Sequence, residues 1–232
     1  LEASRKEFFS DVLNAHDVDH VITTEELYKM IQEQDIKFDE IKESPIPEQF
    51  TTMQPDGASF GMPGGSGGYL EYVLRYALRT LYGEKLQELS FTYGRKGRNK
   101  NWGETEVKFN GEVVFRFAFA YGFRNITTLI KKMKKGDCNF DFVEVMACPK
   151  GCLNGGGQIK PEQPDNGNKM VARLRTLYSK QSYREPEDNP EFSKLYKEWL
   201  GNPQSQKARD ILYTSYNFIP SIEVTNPLAI KW

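Results

Sequence analysis

The 232 residues carry 31 Lys and Arg against 32 Asp and Glu, a formal charge of −1, so no global field draws the chain to nucleic acid or an anionic membrane. With 38% hydrophobic and 27% charged residues it reads as a water-soluble globular chain, long enough for one large or two small domains, and no apolar run approaches the ~20 residues that span a bilayer. Its 3 cysteines are too few for a disulfide scaffold and suit a reducing compartment, which makes cytoplasm the default.

Helical and strand-like patterns alternate along the chain, which predicts an α/β layer architecture. Residues 18–23 read as a short strand, after which Thr24 is placed as the N-cap of a helix with Glu25 and Glu26 in its first turn. Residues 44–63 hold four prolines and few periodic apolar positions, and are expected to form a linker or excursion. A helix is predicted over 69–81, where Leu70, Val73, Leu74, Ala77, Leu78 and Leu81 recur at helical spacing. Strands at 106–109 and 112–117 flank Asn110-Gly111, the pair favoured in a two-residue type I′ hairpin. A helix over 124–134 ends in basic residues, as its dipole favours, and 140–146 reads as a buried strand. Helices are expected at 168–178, 190–200 and 203–213, and the tail from 217 is irregular, with Pro220 and Pro227.

The strand at 140–146 runs into Cys148-Pro149-Lys150-Gly151-Cys152-Leu153-Asn154-Gly155-Gly156-Gly157. Two of the three cysteines thus stand four residues apart, directly before a triple glycine. Thiolates are soft ligands suited to iron–sulfur clusters, zinc or copper(I). Pro149 stiffens the turn between the sulfurs, and glycines let the backbone close round a bulky inorganic core. Ligand sites in α/β proteins favour the carboxyl ends of strands, which is where this turn falls. The plainer alternative, two buried loop cysteines, leaves the spacing and the glycines unexplained.

Other candidates are weaker. His16 and His20 could join the cysteines in a Cys2His2 zinc site, but the strand pattern beside them argues against one helical face, so they are read as surface residues. Gly64-Gly65-Ser66-Gly67-Gly68 precedes a helix yet lacks a P-loop ending or a dinucleotide fingerprint. The basic run Arg95-Lys96-Gly97-Arg98-Asn99-Lys100, between Tyr93 and Trp102, looks like a small nucleic-acid patch, but Glu104 and Glu106 follow at once and a solvated loop is the better reading. Cys138 is expected as a small core or loop residue.

The segment Met146-Ala147-Cys148-Pro149-Lys150-Gly151-Cys152-Leu153-Asn154-Gly155-Gly156-Gly157-Gln158 resembles the cluster-binding signature of iron-only hydrogenases. The likeness covers nearly the whole chain. It extends to Leu1-Glu2-Ala3-Ser4, the glycine turn Gly64 to Glu71, the junction Ala120-Tyr121-Gly122-Phe123-Arg124-Asn125-Ile126 and the ending Ile230-Lys231-Trp232. Among that family it is most similar to the eukaryotic non-hydrogenase branch, the cytosolic iron–sulfur assembly factors and the nuclear prelamin A recognition factor. The resemblance implies the C-terminal part of an iron-only hydrogenase-like large-subunit α/β fold over residues 1–216, with a helical C-terminal region, and a docking tail over 217–232. It implies that Cys148 and Cys152 are ligands of a 4Fe–4S cluster whose remaining ligands lie upstream of Leu1, in an N-terminal half of a longer polypeptide. Trp232 is implied to dock on the targeting complex of cytosolic iron–sulfur assembly.

The expected function is therefore an iron–sulfur carrier or adaptor in cytosolic and nuclear iron–sulfur protein assembly, not a catalyst, with neither membrane nor nucleic acid as partner. Two rivals remain. One is a true iron-only hydrogenase, whose signature shares the same cubane; the other is a metal-free interaction module of the prelamin-binding kind.

Overall fold

The computed structural model describes residues 9–10, 14–16, 18–44, 58–61, 68–86, 89–161 and 167–213. Leu1 to Ser4, glycines 64–67, most of the excursion at 44–63 and the tail 217–232 with Trp232 lie outside them. The chain divides into two compact units, Thr23–Ser193 and the terminal pieces Leu1–Ile22 with Lys194–Trp232.

In the terminal unit, β1 (Phe9–Ser10) pairs antiparallel with β2 (Ala15–His16), and His16 meets the Phe9 ring edge-on at 5.2 Å. Both His16 and His20 are exposed, as expected of surface residues. Residues 18–23, expected as a strand, form no ladder. A β-branched run becomes a strand only where a partner supplies hydrogen bonds, and among the described residues none does.

The larger unit opens with α1 (Thr24–Glu33). Its cap is Thr23, one residue before the expected position, and a capping box holds it: Thr23 Oγ1 accepts from Glu26 N at 3.2 Å while Thr23 N donates to Glu26 Oε2 at 2.7 Å. A short strand β3 (Ser59–Phe60) precedes α2 (Tyr69–Tyr82), which begins at Gly68 and ends at Gly83, both left-handed (φ 77° and 70°). A four-stranded sheet follows in chain order: β4 (Thr92–Gly94), β5 (Asn99–Phe109), β6 (Glu112–Tyr121) and β7 (Phe142–Met146). The first three strands are antiparallel. Asn110 and Gly111, at φ 51° and 86°, make the expected hairpin between β5 and β6. β7 lies parallel to β6, reached through α3 (Phe123–Lys134).

Alternation along β6 divides the core between two faces. Phe117 and Phe119 pack on one side against Leu70, Leu74 and Leu78 of α2, a stripe at helical spacing. Ala120 packs on the other with Trp102 and Leu129 of α3, joined by Cys138, Phe140 and Val143. The sheet is therefore covered on both faces, the layering that parallel pairing demands. Cys138 packs in this apolar cluster, as its small-hydrophobe reading predicts.

Beyond the cysteine turn, α4 (Gly167–Tyr178) leads to β8 (Tyr183–Arg184), which runs parallel to β3. α5 (Pro190–Leu195) continues as a π-turn over Tyr196–Leu200, so the single helix expected over 190–200 widens in its second half. α6 (Gln206–Leu212) starts later than its predicted bound because Ser205 caps it, its Oγ accepting from Ala208 N at 3.0 Å.

Candidate functional site

Parallel pairing to β6 aims the carboxyl end of β7 at a sharp turn. Gly122 N donates to Met146 O at 2.8 Å, which binds the two strand ends together. The chain then reverses at Lys150 and Gly151, both left-handed at φ 64° and 79°, with Gly151 N donating to Cys148 O at 3.1 Å. The Lys150 amide is held from outside the turn, donating to Asn101 Oδ1 at 2.6 Å. A 3-10 turn, Cys152–Asn154, follows at once and is closed by Gly155 N donating to Cys152 O at 3.0 Å. Asn154 Nδ2 reaches back to Pro149 O at 3.1 Å, stitching the two turns into one unit. Neither cysteine is in a disulfide; Cys148 is half-buried and Cys152 is exposed.

The glycines behind the cysteines have distinct jobs. A Cβ on buried Gly155 would stand 3.1 Å from Cys152 O and 3.9 Å from Cys148 Sγ, so the bare backbone keeps room beside the sulfur. A Cβ on Gly157 would fall 2.5 Å from Thr23 Cγ2, and Glu25 N donates to Gly157 O at 3.1 Å; this glycine seats the start of α1. Nothing lies within 4 Å of a Cβ on Gly156. Lys160 Nζ donates to Gly155 O at 2.8 Å and braces the turn. Two soft donors on one tight turn, with a glycine in place of a side chain beside one of them, fit a thiolate-ligated cluster. Among the described residues no group of three His, Cys, Asp or Glu stands together to hold a metal.

Sequence reasoning passed over the group beneath this turn. Glu144 is buried in β7, with 6% of its surface exposed, and its Oε2 accepts from Leu70 N at 2.8 Å. Its other oxygen accepts the Tyr121 hydroxyl. Burial first, and then this hydrogen bond, push the Tyr121 phenol above its ordinary range. A charged residue inside the apolar run Phe142-Val143-Glu144-Val145-Met146 was the available signal.

Residues 1–156 match the iron only hydrogenase large subunit, C-terminal domain, and residues 167–217 match the iron hydrogenase small subunit, which takes up the helical C-terminal region. The chain is 39% identical over 232 residues to the cytosolic iron-sulfur assembly component 3 of Mus musculus and 40% over 233 to that of Bos taurus. It is 39% identical over 232 residues to the cytosolic Fe-S cluster assembly factor narfl of Xenopus tropicalis. Each match covers 100% of this chain and 48% of the relative, so the chain spans about half the length of the curated relatives it matches. A solved FeFe-hydrogenase HydA1 variant from Chlamydomonas reinhardtii superposes with a TM-score of 0.70 at 31% identity, over 93% of this chain and 59% of that one. Because the large-subunit match runs on through β7, both cysteines and the first glycines behind them, the chain belongs to the iron-only hydrogenase family.

Proposed function

We propose that this chain forms part of a cytosolic iron–sulfur assembly factor in which Cys148 and Cys152 supply half the ligands of a 4Fe–4S cluster. The observation that carries the reading is the cysteine turn itself, with Gly155 leaving space beside Cys148 Sγ. Whole-chain relatives bearing the assembly-factor name support the pathway. A bound cluster supplies one-electron chemistry. The chain's own residues prepare its seat. Left-handed Lys150 and Gly151 fold the turn, Asn101 anchors it to β5, and Lys160 holds the glycine backbone in place. Two thiolates are half the usual complement of a cubane, so two further ligands have to be supplied from elsewhere, and an N-terminal half of the polypeptide is their proposed source.

We further propose that Trp232 is the anchor that docks on the assembly-targeting complex, with cytosol and nucleus as the working compartments. A hydrogenase reading is favoured by the likeness to solved FeFe-hydrogenases at 30–31% identity, so the decisive experiment addresses both. Iron and acid-labile sulfide are measured with EPR on the anaerobically reconstituted protein, beside a hydrogen-evolution assay. Cluster signals that need both cysteines, without hydrogen evolution, are the expected result. Hydrogen evolution dependent on Cys152 would move the protein to the enzyme branch, and iron content independent of both cysteines would overturn the cluster assignment.

A further inference from the structure

The basic turn after β4 does more than face solvent. The first turn of α3 stands opposite it, and together they line a cleft of about 840 Å³, within the size range of small-ligand sites. Arg95 and Arg98 line it from the turn, Phe123 and Arg124 from the helix, and Pro149 closes the side next to Cys148.

Its charge is unbalanced. Glu104 and Lys132 also line the cleft, but they face each other at 3.7 Å and largely cancel. Among the described residues the three guanidinium groups of Arg95, Arg98 and Arg124 have no carboxylate or other hydrogen-bonding partner. α3 adds to this field, since it starts at Gly122 with no side-chain cap and no acid in its first turn.

The two walls are held at a fixed spacing. Asn125 Oδ1 accepts from Asn99 Nδ2 at 2.9 Å, and Asn125 Nδ2 donates to Tyr121 O at 2.7 Å and Asn101 O at 3.2 Å. The backbone segments that carry the arginines are therefore set around one volume before any ligand arrives, which lowers the ordering cost of binding. Planar guanidinium forks match phosphate oxygens two at a time. Phe123, 74% exposed, offers a flat apolar face beside them on which a heterocycle can stack. A compact, small-molecule-sized volume suits such a ligand better than an extended acidic peptide, which needs a long groove.

We propose that this cleft binds a small polyphosphate anion, free or carried on a nucleoside. The site is independent of whether Cys148 and Cys152 hold a cluster, and its test needs no metal.

Titration calorimetry of the 232-residue chain with tripolyphosphate and with ATP at low ionic strength provides the test. Saturable one-site binding is expected. The triple variant Arg95→Gln/Arg98→Gln/Arg124→Gln should weaken it at least about a hundred-fold, and the helix variant Arg124→Gln alone about ten-fold. Arg173→Gln, on α4 and outside the cleft, should leave it within about two-fold, which separates the site from a general charge effect. If Phe123→Ala weakens ATP but not tripolyphosphate, the ligand carries a nucleoside; if neither changes, the phosphates alone are read. No saturable binding by the wild-type chain, equal binding by the triple variant, or equally tight binding of a polyglutamate peptide would each overturn the assignment.

Discussion

The carboxylate of Glu144 accepts the amide N–H of Leu70 at 2.8 Å, so β7 caps the first turn of a helix far away in the sequence. Gly68, at the N-cap position of α2, has no side chain to do this. The same carboxylate takes the Tyr121 hydroxyl, and so joins α2, β6 and β7 just ahead of the cysteine turn. Glu144→Ala leaves a buried donor on each partner without its acceptor, and should cost about 2–3 kcal/mol in urea unfolding. Glu144→Gln keeps one acceptor oxygen and should cost less. Equal midpoints for the wild-type and alanine proteins would show that the cap carries no stability.

Tyr121 gives this link a pH signature. Burial, and secondly its hydrogen bond to Glu144, hold the phenol above its unfolded value near 10, so the folded state favours the neutral form. The stabilisation is therefore complete below about pH 10 and is lost as pH rises beyond that value. Tyr121→Phe, with nothing to ionise, should lose stability less steeply between neutral pH and pH 11. Parallel curves for the two proteins over that range would contradict the account.

What the sequence disclosed and what it hid follow one rule. Elements fixed by their own periodicity or turn chemistry were legible: α2 from its leucine stripe, the β5–β6 hairpin from Asn110-Gly111, and the cysteine turn from its spacing. The first half of β5 was not, because Asn99-Lys100-Asn101-Trp102-Gly103 carries no strand signal. Its place depends on a distant residue: a Cβ on Gly103 would fall 2.4 Å from the Phe119 ring, so only glycine admits that aromatic. The asparagine links among Asn99, Asn101 and Asn125 are likewise tertiary, and with them the meeting of Arg124 with the basic turn. A solvated loop was the right reading of the turn alone and an incomplete one of the cleft.

The three consecutive glycines should separate in a substitution series. Gly157→Ala drives a methyl into Thr23, which cannot swing away without giving up its capping box with Glu26. Its cost is expected at about 1–3 kcal/mol. Gly156→Ala meets open space and should stay within about 0.5 kcal/mol of the parent. Gly155→Ala presses on Cys152 O at 3.1 Å and takes up the space beside the Cys148 sulfur at ordinary contact distance, and should show most clearly as iron lost on gel filtration. Similar behaviour of all three in thermal unfolding and in iron retention would mean that the spacing beside the sulfur is not selective.

For the tail, deletion of Ile230-Lys231-Trp232 should leave iron content unchanged and weaken capture by the assembly-targeting complex. Removing an anchoring aromatic typically costs on the order of 2 kcal/mol, about thirty-fold in affinity. A titration in which native and shortened tails bind alike would remove Trp232 from the docking role.

The cysteines themselves allow the sharpest test, because the third is an internal control. Cys138 packs with Trp102, Ala120 and Leu129, so Cys138→Ser places a hydroxyl in an apolar cluster. That should cost about 1–3 kcal/mol of stability while leaving bound iron unchanged. Cys148 and Cys152 sit on a turn held by backbone and asparagine hydrogen bonds that serine leaves in place, so serine there should move the unfolding midpoint little. Serine oxygen is a harder and far less acidic ligand than a thiolate, and each of these changes should labilise the cluster. The expected pattern is thus a crossed one: stability lost without iron at Cys138, iron lost without stability at Cys148 and Cys152. Calorimetric unfolding together with iron and sulfide analysis of the four proteins reads both axes. Full iron content in the Cys148→Ser/Cys152→Ser double variant would remove these residues from the ligand set and leave the turn a purely structural device.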